Sequence, residues 1–319
     1  MGLPVAESYT LASGGIAAAG RYYVSPFYRD MAPGWTDITP AGTAPYHGIL
    51  AYSGMAVDQV RGKIHIAGCG GHNDYSGEDA WEFDYENRTP WAQHYTPWIY
   101  QGIPLADARA LIDNTNWPGA LMEGGAPVRP ISRHTYKTVH WIESIQEVSV
   151  GGGSTFGGNG DYLWYHEDTG AGAWWNAPAD YWGYNPFAKV WNYKGSKLKT
   201  PAYDVQGSQH IYAREIDRVF SLVQNGNNQL KVIVWNPQTN TWSMQANRAD
   251  PYFTDVVGCY DSTRNKLILL CVNNYAGTAP YVLEYDIATD TYTVLETTGT
   301  MPTGWYSGSG MVYSPKTRS

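Results

Sequence analysis

"WEFDYENRTPW" (residues 81–91) reads as two short strands joined by a polar turn, with one aromatic ring on each strand, Phe83 and Trp91. Three further stretches carry the same plan: "LWYHEDTGAGAW" (163–174), "VWNPQTNTW" (234–242) and "EYDIATDTY" (284–292). Their ring pairs are Tyr165 and Trp174, Trp235 and Trp242, Tyr285 and Tyr292. Upstream of each lies an apolar strand pair split by a polar turn, at 54–71, 136–153, 210–226 and 256–273. Strands such as "KIHIAG" and "KLILLCV" mix alternation with continuous branched runs, the pattern of strands covered on both faces. Each unit therefore reads as four antiparallel strands. Four-stranded sheets repeated along a chain bury their faces against one another as the blades of an all-β propeller.

The doubled or tripled glycines that end the second strand (Gly70 and Gly71; Gly151 to Gly153), followed by the aromatic, turn and Trp phrase, resemble kelch repeats of the galactose-oxidase-like propellers. The resemblance covers residues 46–319 and implies a fold, without an activity. A fifth unit opens at "SGSGMVYSPKTRS" (307–319), which matches "SGMAVDQVRGK" (53–63). The N-terminal segment, residues 1–45, contains "PGWTDITP" (33–40), which reads as an outer strand completing the last blade. A ring of five units and an incomplete ring both stay open.

Composition agrees with this class and narrows the partners. Gly 35 and Pro 19 among 319 residues, with 16% charged residues, favour short strands and tight turns. A formal net charge of -8 removes the general attraction to phosphate backbones on which nucleic-acid binding depends. No apolar run reaches membrane-spanning length. The first twenty residues lack the basic start of a secretory signal, and Ala6 breaks the myristoylation pattern. The expectation is synthesis in the cytoplasm, with no membrane insertion. Cys69, Cys259 and Cys271 have no metal-type spacing; buried free thiols are the plainer reading, with one Cys259–Cys271 bridge as the alternative.

Aromatic usage is unusual: Trp 14 and Tyr 26 against Phe 6. Rings with a polar handle suit surfaces that are apolar on one side and wet on the other. Blade spacing places insertions near 96–130 and 176–204. The second, with the hairpin leading into it, is "WWNAPADYWGYNPFAKVWNY" (174–193), in which eight of twenty residues are aromatic. Trp174, Trp175, Tyr181, Trp182 and Trp191 are thus candidate ligand-stacking residues, with Trp98, Tyr100 and Trp117 in the first insertion. The alternative is that these loops fold down as plugs.

"GCGGHNDYSG" (68–77) and "SRHTY" (132–136) supply His72, Asp74, Tyr75, Arg133, His134 and Tyr136 at loops that adjacent blades place side by side. A cation that neutralises a sugar carboxylate, with His or Tyr moving protons, suits β-elimination from a uronic acid. "GGHNDYSG" is similar to a segment of propeller polysaccharide lyases of the ulvan type. That resemblance carries over to Arg133, Tyr136 and His94 without matching a full catalytic set; the two clusters themselves make His72, Tyr75, Arg133, His134 and Tyr136 the candidate catalytic residues, with Asp74 and His94 as ligand-binding neighbours. Asn73 and Asp74 are equally turn formers. His72, Asp74 and His134 lack the close pairing of a metal signature, and no metal or other cofactor is expected. "NRT" at Asn87 is a formal glycosylation sequon lying in a blade turn.

The leading expectation is a recognition propeller binding glycan or a protein surface through aromatic loops, such as a phage virion tail or receptor-binding component, with homo-oligomerisation as a natural accompaniment. The alternatives are a polysaccharide lyase and a purely structural scaffold.

Overall fold

The computed structural model describes residues 45, 53–69, 79–95, 120–123, 126–130, 133–151, 154–156, 174–176, 180–196, 204–224, 230–244, 255–273, 278–299 and 310–313. These residues form an all-β propeller of four-stranded antiparallel sheets. Blade one is β1 (Ala56–Asp58), β2 (Lys63–Ala67), β3 (Ala80–Asp84) and β4 (Ala92–Tyr95). A hairpin, β5 (Ala120–Glu123) with β6 (Ala126–Pro130), follows. Blade two is β7 (Val139–Ile142), β8 (Glu147–Gly151), β11 (Asp180–Asn185) and β12 (Val190–Ser196), interrupted by the hairpin β9 (Ser154–Phe156) and β10 (Trp174–Asn176).

Blade three is β13 (Asp204–Ala213), β14 (Arg218–Gln224), β15 (Leu230–Asn236) and β16 (Thr241–Met244). Blade four is β17 (Asp255–Asp261), β18 (Lys266–Asn273), β19 (Thr278–Asp286) and β20 (Thr291–Leu295). Among the described residues there is one short 3-10 turn, Arg214–Ile216, and no helix long and apolar enough to cross a membrane.

The first strands of successive blades lie side by side, β1 by β7, β7 by β13 and β13 by β17, which sets the radial order. Side chains brace these inner strands. Gly54 N donates to Thr135 Oγ1 (2.8 Å), the His140 ring to the His210 carbonyl (2.7 Å) and Gln209 Nε2 to the Gly258 carbonyl (2.9 Å). Lys137 Nζ reaches from blade two to the Val256 carbonyl of blade four (2.8 Å).

The blade faces meet in seams. Between blades one and two the core holds Ala56, Ile66, Trp141, Val148, Trp182, Tyr184 and Trp191. Ile142, Tyr181, Val219 and Trp235 fill the second seam. The third joins Ile211, Phe220, Leu222 and Val232 to Leu267, Leu269, Leu283 and Tyr285. Cys69, Cys259 and Cys271 are buried free thiols, and burial pushes each up from the ordinary thiol range, Cys259 to about 11 and Cys271 to about 12.

One end of every blade is built from near-identical turns. Each tight hairpin ends on a residue in the left-handed region: Gly62, Gln146, Asp217 and Asn265 between first and second strands, Arg88, Lys189, Asn240 and Asp290 between third and fourth. An Asx side chain prepares most of these turns by accepting backbone N–H groups ahead of it. Asn185 Oδ1 takes Phe187 N and Ala188 N, and Asp286 Oδ1 takes Ala288 N and Thr289 N, all within 2.9–3.1 Å. Asp58 and Asp261 do the same for the first turns of blades one and four.

Candidate functional site

With the uniform turns at one end, the connections of unequal length all leave from the other. Those between second and third strands are residues 68–79, 152–179, 225–229 and 274–277. The link from blade one to blade two, 96–138, also emerges there. A rigid ring carrying variable loops at one end is the arrangement in which binding residues collect on those loops.

At that end, the exit of β2 meets the entry of β7. A single parallel bridge pairs Cys69 with Arg133, and Arg133 N donates to the Gly68 carbonyl (3.2 Å). Arg133, His134 and Thr135 are fully buried. Thr135 Oγ1 contacts Cys69 Sγ (3.1 Å) and closes the tight turn 135–138 through its carbonyl, which accepts from Thr138 N (2.8 Å) and Thr138 Oγ1 (2.6 Å). His134 Nδ1 and Tyr136 Oη share a hydrogen bond of 3.0 Å, with the rings edge to face at 5.3 Å.

Tyr136 has φ 39°. Among the described non-glycine residues with positive φ, it stands alone outside the hairpin turns. A bulky residue held there is strained, and such strain gathers at functional positions. Its carbonyl packs directly on Gly54, where a Cβ would collide with it. The half-buried phenol is therefore the outward member of the pair, and the buried imidazole positions it.

The sequence-predicted residues separate into three groups. Arg133, His134 and Tyr136 come together as described. His72, Asp74 and Tyr75 lie outside the described residues. Trp174 and Trp175 pair as backbone with Phe156 and Thr155; their side chains lie outside the described set.

Tyr181, Trp182 and Trp191 correct the expectation. They are 0%, 0% and 7% exposed and belong to β11 and β12, the third and fourth strands of blade two. Residues 180–196 are blade, so the insertion expected at 176–204 lies instead between β8 and β11, at 152–179. The physical reason is ring pairing: Tyr184 opposes Trp191, as Trp235 opposes Trp242 and Tyr285 opposes Tyr292. Tyr165, expected in that role, lies outside the described residues. The signal that finds the true hairpin is Asn185-Pro186, which repeats Asn236-Pro237.

His94 sits elsewhere, on β4, where Nε2 lies 4.0 Å from Glu82 Oε1. Burial lowers its pKa, against the opposing pull of Glu82. Glu82 also faces His65 Nδ1 at 3.8 Å and Lys63 Nζ at 3.4 Å. Sequence reading had not singled out Lys63, His65, Glu82 or Tyr184. Among the described residues, no three His, Cys, Asp or Glu side chains are grouped to hold a metal ion.

No family model and no curated protein matches the chain. Among solved structures, that titled "Structure of YjhT" is similar at 14% identity and TM-score 0.46, over 82% of this chain and 68% of that one. An auxiliary nutrient binding protein from Bacteroides ovatus gives 10% and 0.37, over 79% of this chain and 43% of that one. The GH74 xyloglucanase from Xanthomonas campestris gives 9% and 0.38, over 82% of this chain and 40% of that one. Likeness at this level assigns no activity, and the propeller architecture rests on the four sheets themselves.

Proposed function

We propose that the chain is a recognition propeller that binds glycan at its loop-bearing end, beside the His134–Tyr136 pair. The observation that carries this reading is the asymmetry of the ring: one end is uniform turns, and every long connection leaves from the other. Those connections contain Trp98, Tyr100, Trp117, Tyr162, Trp164 and Tyr165. Planar rings with polar handles stack on sugar faces with little entropy lost. Titration of the protein against a panel of neutral and uronic oligosaccharides tests it. Saturable binding, weakened by Tyr136→Phe and by deletion of 157–173 with the melting temperature retained, is the expected result. Absence of binding across the panel overturns it.

The His134–Tyr136 hydrogen bond, with the strained backbone at Tyr136, favours a second reading, a lyase acting on uronate-containing glycan. With its own proton held on His134 Nδ1, Tyr136 as the phenolate would take the C5 proton, the C4–O bond would break as a C4–C5 double bond forms, and the phenol so made would pass that proton to the leaving oxygen. Absorbance at about 235 nm from the unsaturated product, lost in Tyr136→Phe, distinguishes catalysis from binding.

A further inference from the structure

We infer that the seam between blades one and two holds a second binding site, centred on Glu82, for a small neutral polyhydroxylated ligand such as a sugar ring or a polyol. The inference starts from a comparison within the molecule. In blades one and four the same charged ladder stands on one sheet face. Lys63 opposes Asp84 and His65 opposes Glu82 in blade one; Lys266 opposes Asp286 and Ile268 opposes Glu284 in blade four.

In blade four the ladder is closed. Arg264 donates to Asp261 (2.6 Å) and to Glu284 (2.6 Å), and Lys266 bonds the other Glu284 oxygen. In blade one the equivalent arginine, Arg61, bonds Asp58 and then turns over the rings of Trp141 (5.1 Å) and Phe187 (4.5 Å). Glu82 is left with Lys63 at 3.4 Å and two imidazoles beyond hydrogen-bonding range. His65 replaces a residue that is apolar in blade four, Ile268, and His94 stands where the register of β3 and β4 shifts.

A second observation is independent of the ladder. Four polar atoms in this seam are buried without a hydrogen-bond partner: His65 Nε2, His94 Nδ1, Tyr184 Oη and Trp191 Nε1. Buried polar groups in folded proteins are ordinarily satisfied, by water or ligand where protein groups do not serve. Three of the four side chains, His65, His94 and Tyr184, lie within electrostatic reach of Glu82. His65 stacks on Trp141 at 5.2 Å, and Tyr184 lies against Trp191 (5.2 Å) and Tyr95 (6.0 Å). The Lys63, Glu82 and His94 side chains keep 24%, 20% and 21% of their surface in solvent and form an edge open to it, whereas His65 and Tyr184 form the floor.

The chemistry of the occupant follows by elimination. Glu82 repels an anion, and Lys63 with nearby Arg61 opposes a cation. No metal-holding group occurs among the described residues. An apolar ligand would leave the phenol and the imidazoles unsatisfied. A neutral molecule with several hydroxyls can accept from Lys63, exchange bonds with Tyr184 and the imidazoles, and donate to Glu82 while its C–H face lies on the rings.

The site uses no residue of the loop-bearing end, so it stands or falls separately from the glycan surface proposed there. Calorimetric titration of the whole chain with D-glucose, D-galactose, D-xylose and sorbitol tests it. Saturable binding of at least one is expected, weakened about tenfold or more by Glu82→Gln and by Tyr184→Phe, and unchanged by Glu284→Gln. Tyr184→Phe keeps the ring and so keeps the test valid should Glu82→Gln fail to fold. The inference is overturned if none of the four probes binds, or if the binding survives Tyr184→Phe.

Discussion

Tyr184 and Trp191 face each other directly across β11 and β12, with ring centroids 5.2 Å apart. Equivalent pairs recur in the other blades: Phe83 and Trp91 at 5.3 Å, Trp235 and Trp242 at 5.7 Å, Tyr285 and Tyr292 at 4.9 Å. Each pair fixes the register of an outer hairpin and presents a ring to the neighbouring seam. Trp235→Ala, which empties a fully buried position, is expected to cost about 3–5 kcal/mol in urea denaturation. Trp182→Ala should cost a similar amount while leaving the ligand affinity of the folded fraction unchanged.

Gly183 leaves room on β11 for the Glu147 carboxylate, which pairs with Lys194 (2.7 Å) and accepts from Asn192 (2.7 Å). A Cβ at 183 would collide with that carboxylate and with Lys194 Cε. Gly183→Ala should lower stability by about 1–3 kcal/mol. In a Glu147→Ser background the same change should cost less, and a double-mutant cycle measures the difference.

The left-handed turn positions give an opposite expectation. Lys189 (φ 57°) and Asp290 (φ 54°) carry side chains in a conformation that glycine adopts freely. Lys189→Gly should raise stability by up to about 1 kcal/mol in thermal melts and Lys189→Val should lower it by at least that much, whereas Asp290→Gly should show no gain because it also removes the acceptor of the buried Tyr285 hydroxyl (2.9 Å).

Acid sensitivity follows from two enclosed histidines. Burial holds both His65 and His140 down at about 4. The unfolded chain protonates first as pH falls below the ordinary value of 6.5, so stability present at neutral pH is lost between 6.5 and about 4 and is flat below that range with respect to these groups. The His65 contribution is on the order of 3 kcal/mol. Denaturation midpoints across pH 4–7 should show this slope, and His65→Ile, which installs the blade-four residue, should flatten it.

Much of the architecture was legible in the sequence because ring pairs and Asx turns are local: nine residues such as 234–242 contain both the anchors and the turn. The inner strand pairs were likewise readable from their apolar runs. Blade two misled because "LWYHEDTGAGAW" mimics the hairpin spacing, while the real third strand, across an interruption at 152–179, is rich in Trp and Tyr and reads as a recognition loop. Burial of Trp182 is a tertiary fact that composition alone does not carry. The approach of the β2 exit to Arg133 was anticipated from blade adjacency. The Glu82 cluster was not, since it depends on Arg61 turning away from the ladder that Arg264 completes in blade four.

The seams described above differ in how dry they are. Between blades three and four, branched and aromatic side chains form a continuous apolar layer, whereas between blades one and two the layer borders imidazoles, a carboxylate and unpaired polar atoms. Loss of cooperativity should therefore begin on the wet side, with backbone amides of β2 and β3 exchanging with solvent before those of β14, β15, β18 and β19. The four blades are thus a durable pair carrying a more yielding one, and whatever enters the yielding pair tightens the whole.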